Sequence, residues 1–493
     1  MPSPRSDPAA DDGALTEAVR WRVLAVLLAT IFMSLINVSV VNVALPSIQD
    51  SLQASQSDLQ WVLSGYALTF GVVLVAAGRA GDIMGRGGWF VAGVLLFTAA
   101  SVAAGLAPDA RTLNVARFLQ GLGSGLITPQ GVGMIQQYFR DEARARAFGY
   151  FGSMVGVSVA IGPVLGGVLI MLGGADLGWR LAFLVNVPTG LLVVALALRW
   201  FPRPLFTHRG PGRVGRSTPR LLRALDPVGS LLLGLAVFAV LYPFMEYRGS
   251  HATWLLLPVG LALAWLWVAW ERHHARAGGS PMVDLRIFRT RSFSNGTLIM
   301  ALYFLGMTSI WVIVALYFQQ GAGKSAFEAG LVGIPASILS ALSAHWAGQR
   351  VMRLGRKVVI GGLLLGIAGL ALCVGVAWLH GLGRLSIWWL VLALVPVGIA
   401  QGAIISPNQT LTLAEVPLAY AGSSGAVMQT GQRIGTSVGI ALITSVLFAA
   451  LAVSSWPTAV MLAFTLIAGV FALALWVAWR DLRERARRGT PAA

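Results

Sequence analysis

Of 493 residues, 56% are apolar and 11% charged, against about a quarter charged in a typical soluble domain. So few charges cannot cover a water-soluble surface, which excludes a string of soluble domains and predicts a polytopic membrane protein. The formal charge of +17 sits in short stretches between apolar runs, as topology signals do beside anionic lipid, and not in a nucleic-acid-binding stripe.

Residues 1–22 are polar and carry Asp7, Asp11, Asp12 and Glu17, which reads as a cytoplasmic tail without a cleavable signal. Fourteen segments then have the length and apolarity to cross about 30 Å of hydrocarbon as helices: 23–45, 61–78, 89–107, 115–137, 147–171, 181–199, 226–245, 254–270, 294–318, 329–349, 357–379, 387–407, 424–450 and 457–479. None alternates with period two, so the fold is expected to be all-α and not a barrel. An even number of spans puts both termini on one side. With that side as the cytoplasm, inner segments hold 29 Lys and Arg and outer loops 5, the asymmetry that positive-inside sorting requires. Trp200, Trp254, Trp270, Trp388, Trp456 and Trp479 lie near span ends and fit an aromatic belt. The single cysteine, Cys373, allows neither a disulfide framework nor a cysteine metal cage.

The chain repeats itself. Gly78-Arg79-Ala80-Gly81-Asp82-Ile83-Met84-Gly85-Arg86 follows the second span, and Gly348-Gln349-Arg350-Val351-Met352-Arg353-Leu354-Gly355-Arg356 follows the tenth, so two glycines and an arginine coincide at an offset of 270. Ile127-Thr128-Pro129-Gln130 echoes Ile405-Ser406-Pro407-Asn408. These echoes imply a six-helix bundle over 23–199, basic linkers with two extra helices over 200–292, a second bundle over 293–479 and a basic tail over 480–493. Parallel repeats of this kind are a transporter plan with the path between the halves; chance similarity of short Gly/Arg loops is the alternative.

The Gly-x-x-x-Asp-x-x-Gly-Arg loop at 78–86 resembles the cytoplasmic signature of the major facilitator superfamily. Asn114-Val115-Ala116-Arg117-Phe118-Leu119-Gln120-Gly121 resembles its intramembrane arginine motif. Gly149, Gly162-Pro163 and Gly166-Gly167 resemble its antiporter signature, and Asn37-Val38-Ser39-Val40-Val41-Asn42-Val43-Ala44-Leu45-Pro46 is similar to the opening motif of its fourteen-helix drug–proton antiporters. The resemblance implies two six-helix bundles plus two central helices, a bacterial inner-membrane location, and export of small organic molecules against protons. This chain departs from the pattern at Asn37, where the family usually has aspartate, at Ser158 for glycine, at Ile83 for a basic residue and at Met352 for an acid.

Each singled-out group has a functional and a packing reading. Asp82, Gly85, Arg86 and Arg356 form a conformational latch or simply cap topology loops. An arginine at a span centre costs about 2.5–3.5 kcal/mol, so Arg117 faces the interior; there it polarises a protonatable partner, holds an anionic group, or is tethered to backbone carbonyls or Gln120. Arg433 carries the same readings. Gly149, Gly162, Pro163, Gly166 and Gly167 make a hinge or a packing seam, and Asn37 binds substrate or glues helices. Tyr66, Trp61, Tyr303, Trp311 and Phe318 line a site or pack. Proton coupling needs a buried titratable group, yet no Asp or Glu lies mid-span. Asp58, Asp226, Glu246, Glu328 and Glu415 sit near span ends and read as solvated, leaving His345 as relay or packed imidazole.

The leading reading is a monomeric, proton-coupled exporter of amphipathic compounds or antibiotics, with no cofactor and no metal. An exporter or uniporter of an anionic metabolite is the alternative, since the spans hold arginines and no carboxylate. An enzyme is not expected: His-Glu-x-x-His and Gly-x-Ser-x-Gly are absent, as is the Gly-x-x-x-x-Gly-Lys-Ser/Thr loop of an ATP-driven pump.

Overall fold

The computed structural model describes residues 16–206, 225–245 and 251–487. The acidic stretch before residue 16, most of the basic linker, Glu246, Arg248 and the last six residues lie outside them. Among the described residues are fourteen long helices: α1 (Glu17–Leu52), α2 (Gln56–Met84), α3 (Arg86–Gly105), α4 (Ala110–Tyr138), α5 (Asp141–Gly174), α6 (Asp176–Trp200), α7 (Pro227–Met245), α8 (Leu256–Arg276), α9 (Arg291–Leu316), α10 (Ile334–Leu354), α11 (Arg356–Gly381), α12 (Val395–Leu413), α13 (Ala421–Leu451) and α14 (Trp456–Arg487). No strand occurs among the described residues. Thirteen of the fourteen are apolar enough to span a membrane on that ground alone. The exception, α4, has the length but carries Asn114, Arg117, Gln120, Gln130 and Gln136, all buried. Its polar groups face protein, where they cost least.

Helix ends are set by local chemistry and run past the hydrophobic segments. A Ser55–Asp58 capping box starts α2 five residues before its apolar run, and α2 continues to Met84 because residues 77–83 are buried against neighbouring helices. Gly85 (φ 100°) and Gly355 (φ 55°) make the turns into α3 and α11. Positive φ suits glycine, which explains the second glycine of the repeated loop. Helix α5 keeps helical dihedrals through Pro163 and breaks at Gly174 (φ 65°).

Packing is duplicated. In the first set α1 packs on α5 and α6, α4 on α2 and α3, and α3 on α6. In the second, α9 packs on α13 and α14, α12 on α10 and α11, and α11 on α14. The two sets meet along two seams, α2 with α13 and α5 with α10, which exchange under the same pairing. The first glycine of each repeated loop lies on a seam. A Cβ on Gly78 would stand 2.7 Å from the Gly422 carbonyl oxygen, and one on Gly348 2.6 Å from Gly149 Cα. These contacts leave no room for a side chain, so both glycines are required by backbone approach.

The extra helices break the symmetry. Helix α7 packs on α2 and α13 as well as on α8, with Val237 and Leu241 against Leu68, so it covers one seam from outside. Helix α8 is mostly exposed, with Leu261 and Trp265 turned outward, as lipid contact allows.

Candidate functional site

A cavity of about 270 Å³ lies between the halves. Its walls come from α1 (Ser34, Leu35), α2 (Tyr66, Phe70), α4 (Ser124, Thr128), α5 (Phe151, Val155), α9 (Phe304, Thr308), α12 (Gln409) and α13 (Gln429, Gln432, Arg433, Thr436). Both halves therefore contribute aromatic and polar groups, as a site for an amphipathic molecule needs. Arg433 is the one charged residue in this wall. Its guanidinium carbon stands 4.4 Å from the centroid of Phe70 in the opposite half, a cation–π contact that links α13 to α2.

Arg117 lies behind this wall. Its Nε donates to the Val62 carbonyl (2.6 Å), and an Nη donates to Gln120 Oε1 (2.7 Å); Gln120 in turn donates to Ser101 Oγ (2.8 Å). The guanidinium is 4.5 Å from the centre of the Tyr66 ring, whose hydroxyl donates to Ser124 at 2.9 Å. Tyr66 stacks on Phe70 at 6.3 Å. The result is a ladder from Arg117 through Tyr66 and Phe70 to Arg433. Among the described residues no ion pair involves either arginine.

The repeated loop at the end of α2 clasps the two halves together. Asp82 accepts from the backbone N–H groups of Gly422 and Ser423 (both 2.9 Å), from Ser423 Oγ (3.0 Å) and from Arg86 (2.7 Å). The carboxylate thus sits on the N-terminus of α13, where helix-dipole charge favours an anion. Arg86 also donates to the Leu418 carbonyl (3.0 Å), and Gln136 to that of Ala421 (3.2 Å). The matching Arg356 stays within its own half, donating to Asp481 at 2.8 Å and to Asn408, while Asn295 donates to Asp481 at 2.8 Å. Met352 matches Asp82 at the offset of 270, and among the described residues the Asp82–Arg86 clasp is at the seam of α2 with α13.

Other singled-out residues lie away from the cavity. Asn37 is fully buried between α1 and α6, accepting from Asn186 at 3.0 Å while its own Nδ2 has no partner. His345 is on α10, 2.9 Å from Gln349 and beside Tyr150. Gly149, Gly152 and Gly156 face α10, whereas Gly162 and Gly166 face α1 and Gly167 faces open space. Of the five aromatics, Tyr66 lines the cavity. Trp61 packs between Phe118 and Tyr242, Tyr303 on Phe471, and Phe318 on Trp388, and Trp311 lies against Gly333.

Asp226, read as solvated, is in fact buried, and so is Glu271, which the sequence did not single out. Asp226 precedes α7 and Glu271 is near the end of α8, 2% and 1% exposed. Asp226 Oδ1 accepts from Gly229 N (3.0 Å) and Trp270 Nε1 (2.9 Å), and Glu271 Oε2 from Met282 N (3.1 Å). The remaining oxygens, Asp226 Oδ2 and Glu271 Oε1, have no partner. They would lie 2.4 and 3.1 Å from a Cβ placed on Gly229, so they converge. Arg79 of the latch loop is within electrostatic reach of both acids, of Asp82 and of Tyr420. Hydropathy alone did not reveal this, because each acid sits at the edge of its own span and only the packing of α7 and α8 covers it.

The family model of the Major Facilitator Superfamily matches residues 27–440. A protein named probable actinorhodin transporter, from Streptomyces coelicolor, is 33% identical over 438 residues, covering 87% of this chain and 73% of its own length. Multidrug resistance protein Stp from Mycobacterium tuberculosis (strain CDC 1551 / Oshkosh) is 30% identical over 450 residues, 88% of this chain and 78% of its own. Among solved structures, the proton:xylose symporter XylE bound to 6-bromo-6-deoxy-D-glucose matches with a TM-score of 0.65 over 94% of this chain and 96% of that one, at 14% identity, a likeness of fold.

Proposed function

The chain belongs to the Major Facilitator Superfamily, and from that premise we propose that it is a secondary active exporter. It carries amphipathic organic compounds, antibiotics among them, out of a bacterial cell across the inner membrane by alternating access, in exchange for protons. The observation that carries this reading is a cavity walled by both halves, with a clasp joining the same two halves at the end of α2. Such a site changes its open face when the halves rock. The names of the relatives, a transporter of an antibiotic and a multidrug resistance protein, support efflux. The 29-to-5 distribution of basic residues supports cytoplasmic termini, which makes the clasped end cytoplasmic. A cavity built within one chain supports a monomer as the working unit.

Proton exchange is supported by Asp226 and Glu271. Their remaining oxygens are buried, unpartnered and convergent, a geometry that can accommodate a shared proton. Arg79 is within electrostatic reach of this pair and of Asp82, so loss or gain of such a proton changes the field on the clasp.

The test is export of a fluorescent compound into everted vesicles. An imposed pH gradient is expected to raise the rate at least tenfold, and Asp226→Asn or Glu271→Gln to cut that stimulation below twofold. Equal flux with the gradient collapsed would contradict antiport and favour the second reading, gradient-independent movement of an anionic metabolite, which the arginine in the cavity also supports.

A further inference from the structure

We infer that the central cavity selects organic anions: aromatic compounds bearing an ionised carboxyl or phenol, held with the negative group on Arg433 and the ring against Phe70 and Tyr66. The inference rests on the export reading above and adds the charge class of the substrate.

Charge is the first argument. Among the described residues the cavity wall holds no Asp, Glu, Lys or His and has Arg433 as its only charged member. Among the described residues no ion pair involves that guanidinium; its close neighbour is the Phe70 ring. An arginine in a membrane interior is otherwise neutralised by an acid or hydrogen-bonded to backbone carbonyls, as Arg117 is by the carbonyl of Val62. Arg433 thus presents five N–H donors in the cavity, and a carboxylate or phenolate completes them. A cation entering the same space meets an uncompensated positive charge, with Arg117 adding a second behind Tyr66.

Shape and hydrogen bonding narrow the class. Gln409, Gln429 and Gln432 supply amide donors and acceptors to the same cavity wall, suited to further oxygen substituents. The stacked Tyr66 and Phe70 rings (interplanar 22°) offer a flat wall for an aromatic system. The same contact links binding to motion. Arg433 on Phe70 is a tie between α13 and α2, and an anion that draws the guanidinium away loosens it, so occupancy and release of the seam go together.

Fluorescein and rhodamine 123 share a ring system and differ in charge, which makes them the probes. For the purified full chain, fluorescence polarisation is expected to give a Kd at least tenfold lower for fluorescein. Arg433→Gln should remove that preference and Arg433→Lys keep most of it, while Gln429→Glu, which places an acid in the same wall, should reverse it. Equal or tighter binding of rhodamine 123, binding of neither dye, or unchanged fluorescein affinity in Arg433→Gln would overturn the inference. If Arg433→Gln fails to fold, reversal in Gln429→Glu decides alone. Tight fluorescein binding with no gradient-driven export into vesicles would leave the charge selectivity standing and refute the export reading.

Discussion

Export is expected to fall at least tenfold in an Arg117→Met variant whose expression and thermal midpoint stay within a few degrees of the parent. Two terms oppose each other in stability. Removing a buried guanidinium that has no ion-pair partner among the described residues relieves a desolvation cost of several kcal/mol. Against this, Gln120 Oε1 loses its donor, at about 1–3 kcal/mol, and the Tyr66 ring loses a desolvated cation–π contact of about 2 kcal/mol. These nearly cancel, so the fold survives. The functional effect does not cancel, because Tyr66 is cavity wall and Arg117 holds its rear face. A change of about 1.4 kcal/mol in its placement is a factor of ten in rate. Arg117 is thus a positioning residue, and Arg117→Lys should not rescue it, since an ammonium cannot reproduce the planar fork that serves Val62 and Gln120 together. Wild-type export by Arg117→Met, measured alongside its melting curve, would refute this role.

Asp82→Asn is expected to have the larger conformational effect. Neutralising the carboxylate weakens charge-assisted hydrogen bonds to Gly422, Ser423 and Arg86, each about 1.5–3 kcal/mol when charged, and removes an anion from the end of α13, up to about 2 kcal/mol in a buried setting. Asparagine retains part of the bonding, so a net loss of about 2–4 kcal/mol is expected. That shifts the ratio of closed to open cytoplasmic ends by about 30- to 1000-fold. A cysteine placed at Thr128 in the cavity should then react with a membrane-impermeant maleimide from the cytoplasmic face at least tenfold faster than in the parent. Arg356→Gln should leave that rate unchanged, because Arg356 bonds within its own half.

The spans were legible because hydrocarbon demands long apolar helices; α4 was read as one by length and apolarity, though its buried polar residues make it the least apolar of them. Their ends were not. The six residues from Arg79 to Met84 extend α2 through contact with the other half, information that no local hydropathy carries. The offset of 270 between Gly78 and Gly348 was visible in the sequence, but its cause, backbone contact at symmetry-matched seams, appeared only with the fold. Of the two intramembrane arginines, burial could be read for both. Which one enters the cavity depends on the rotation of α4 and α13, so Arg117 and Arg433 looked alike. Asp226 and Glu271 were missed for a related reason. They lie 45 residues apart and at span edges, and only the packing of α7 with α8 makes them a pair.

If two matched bundles rock about the cavity, it opens to one face at a time. Spin-label distances across the seams test this motion most directly, with one label pair at the clasped ends of α2 and α13 and another at their opposite ends. Two populations are expected whose distances change in opposite senses, with the long clasped-end distance enriched in Asp82→Asn. A single distance at each end, unmoved by substrate, by pH or by that substitution, would contradict the motion.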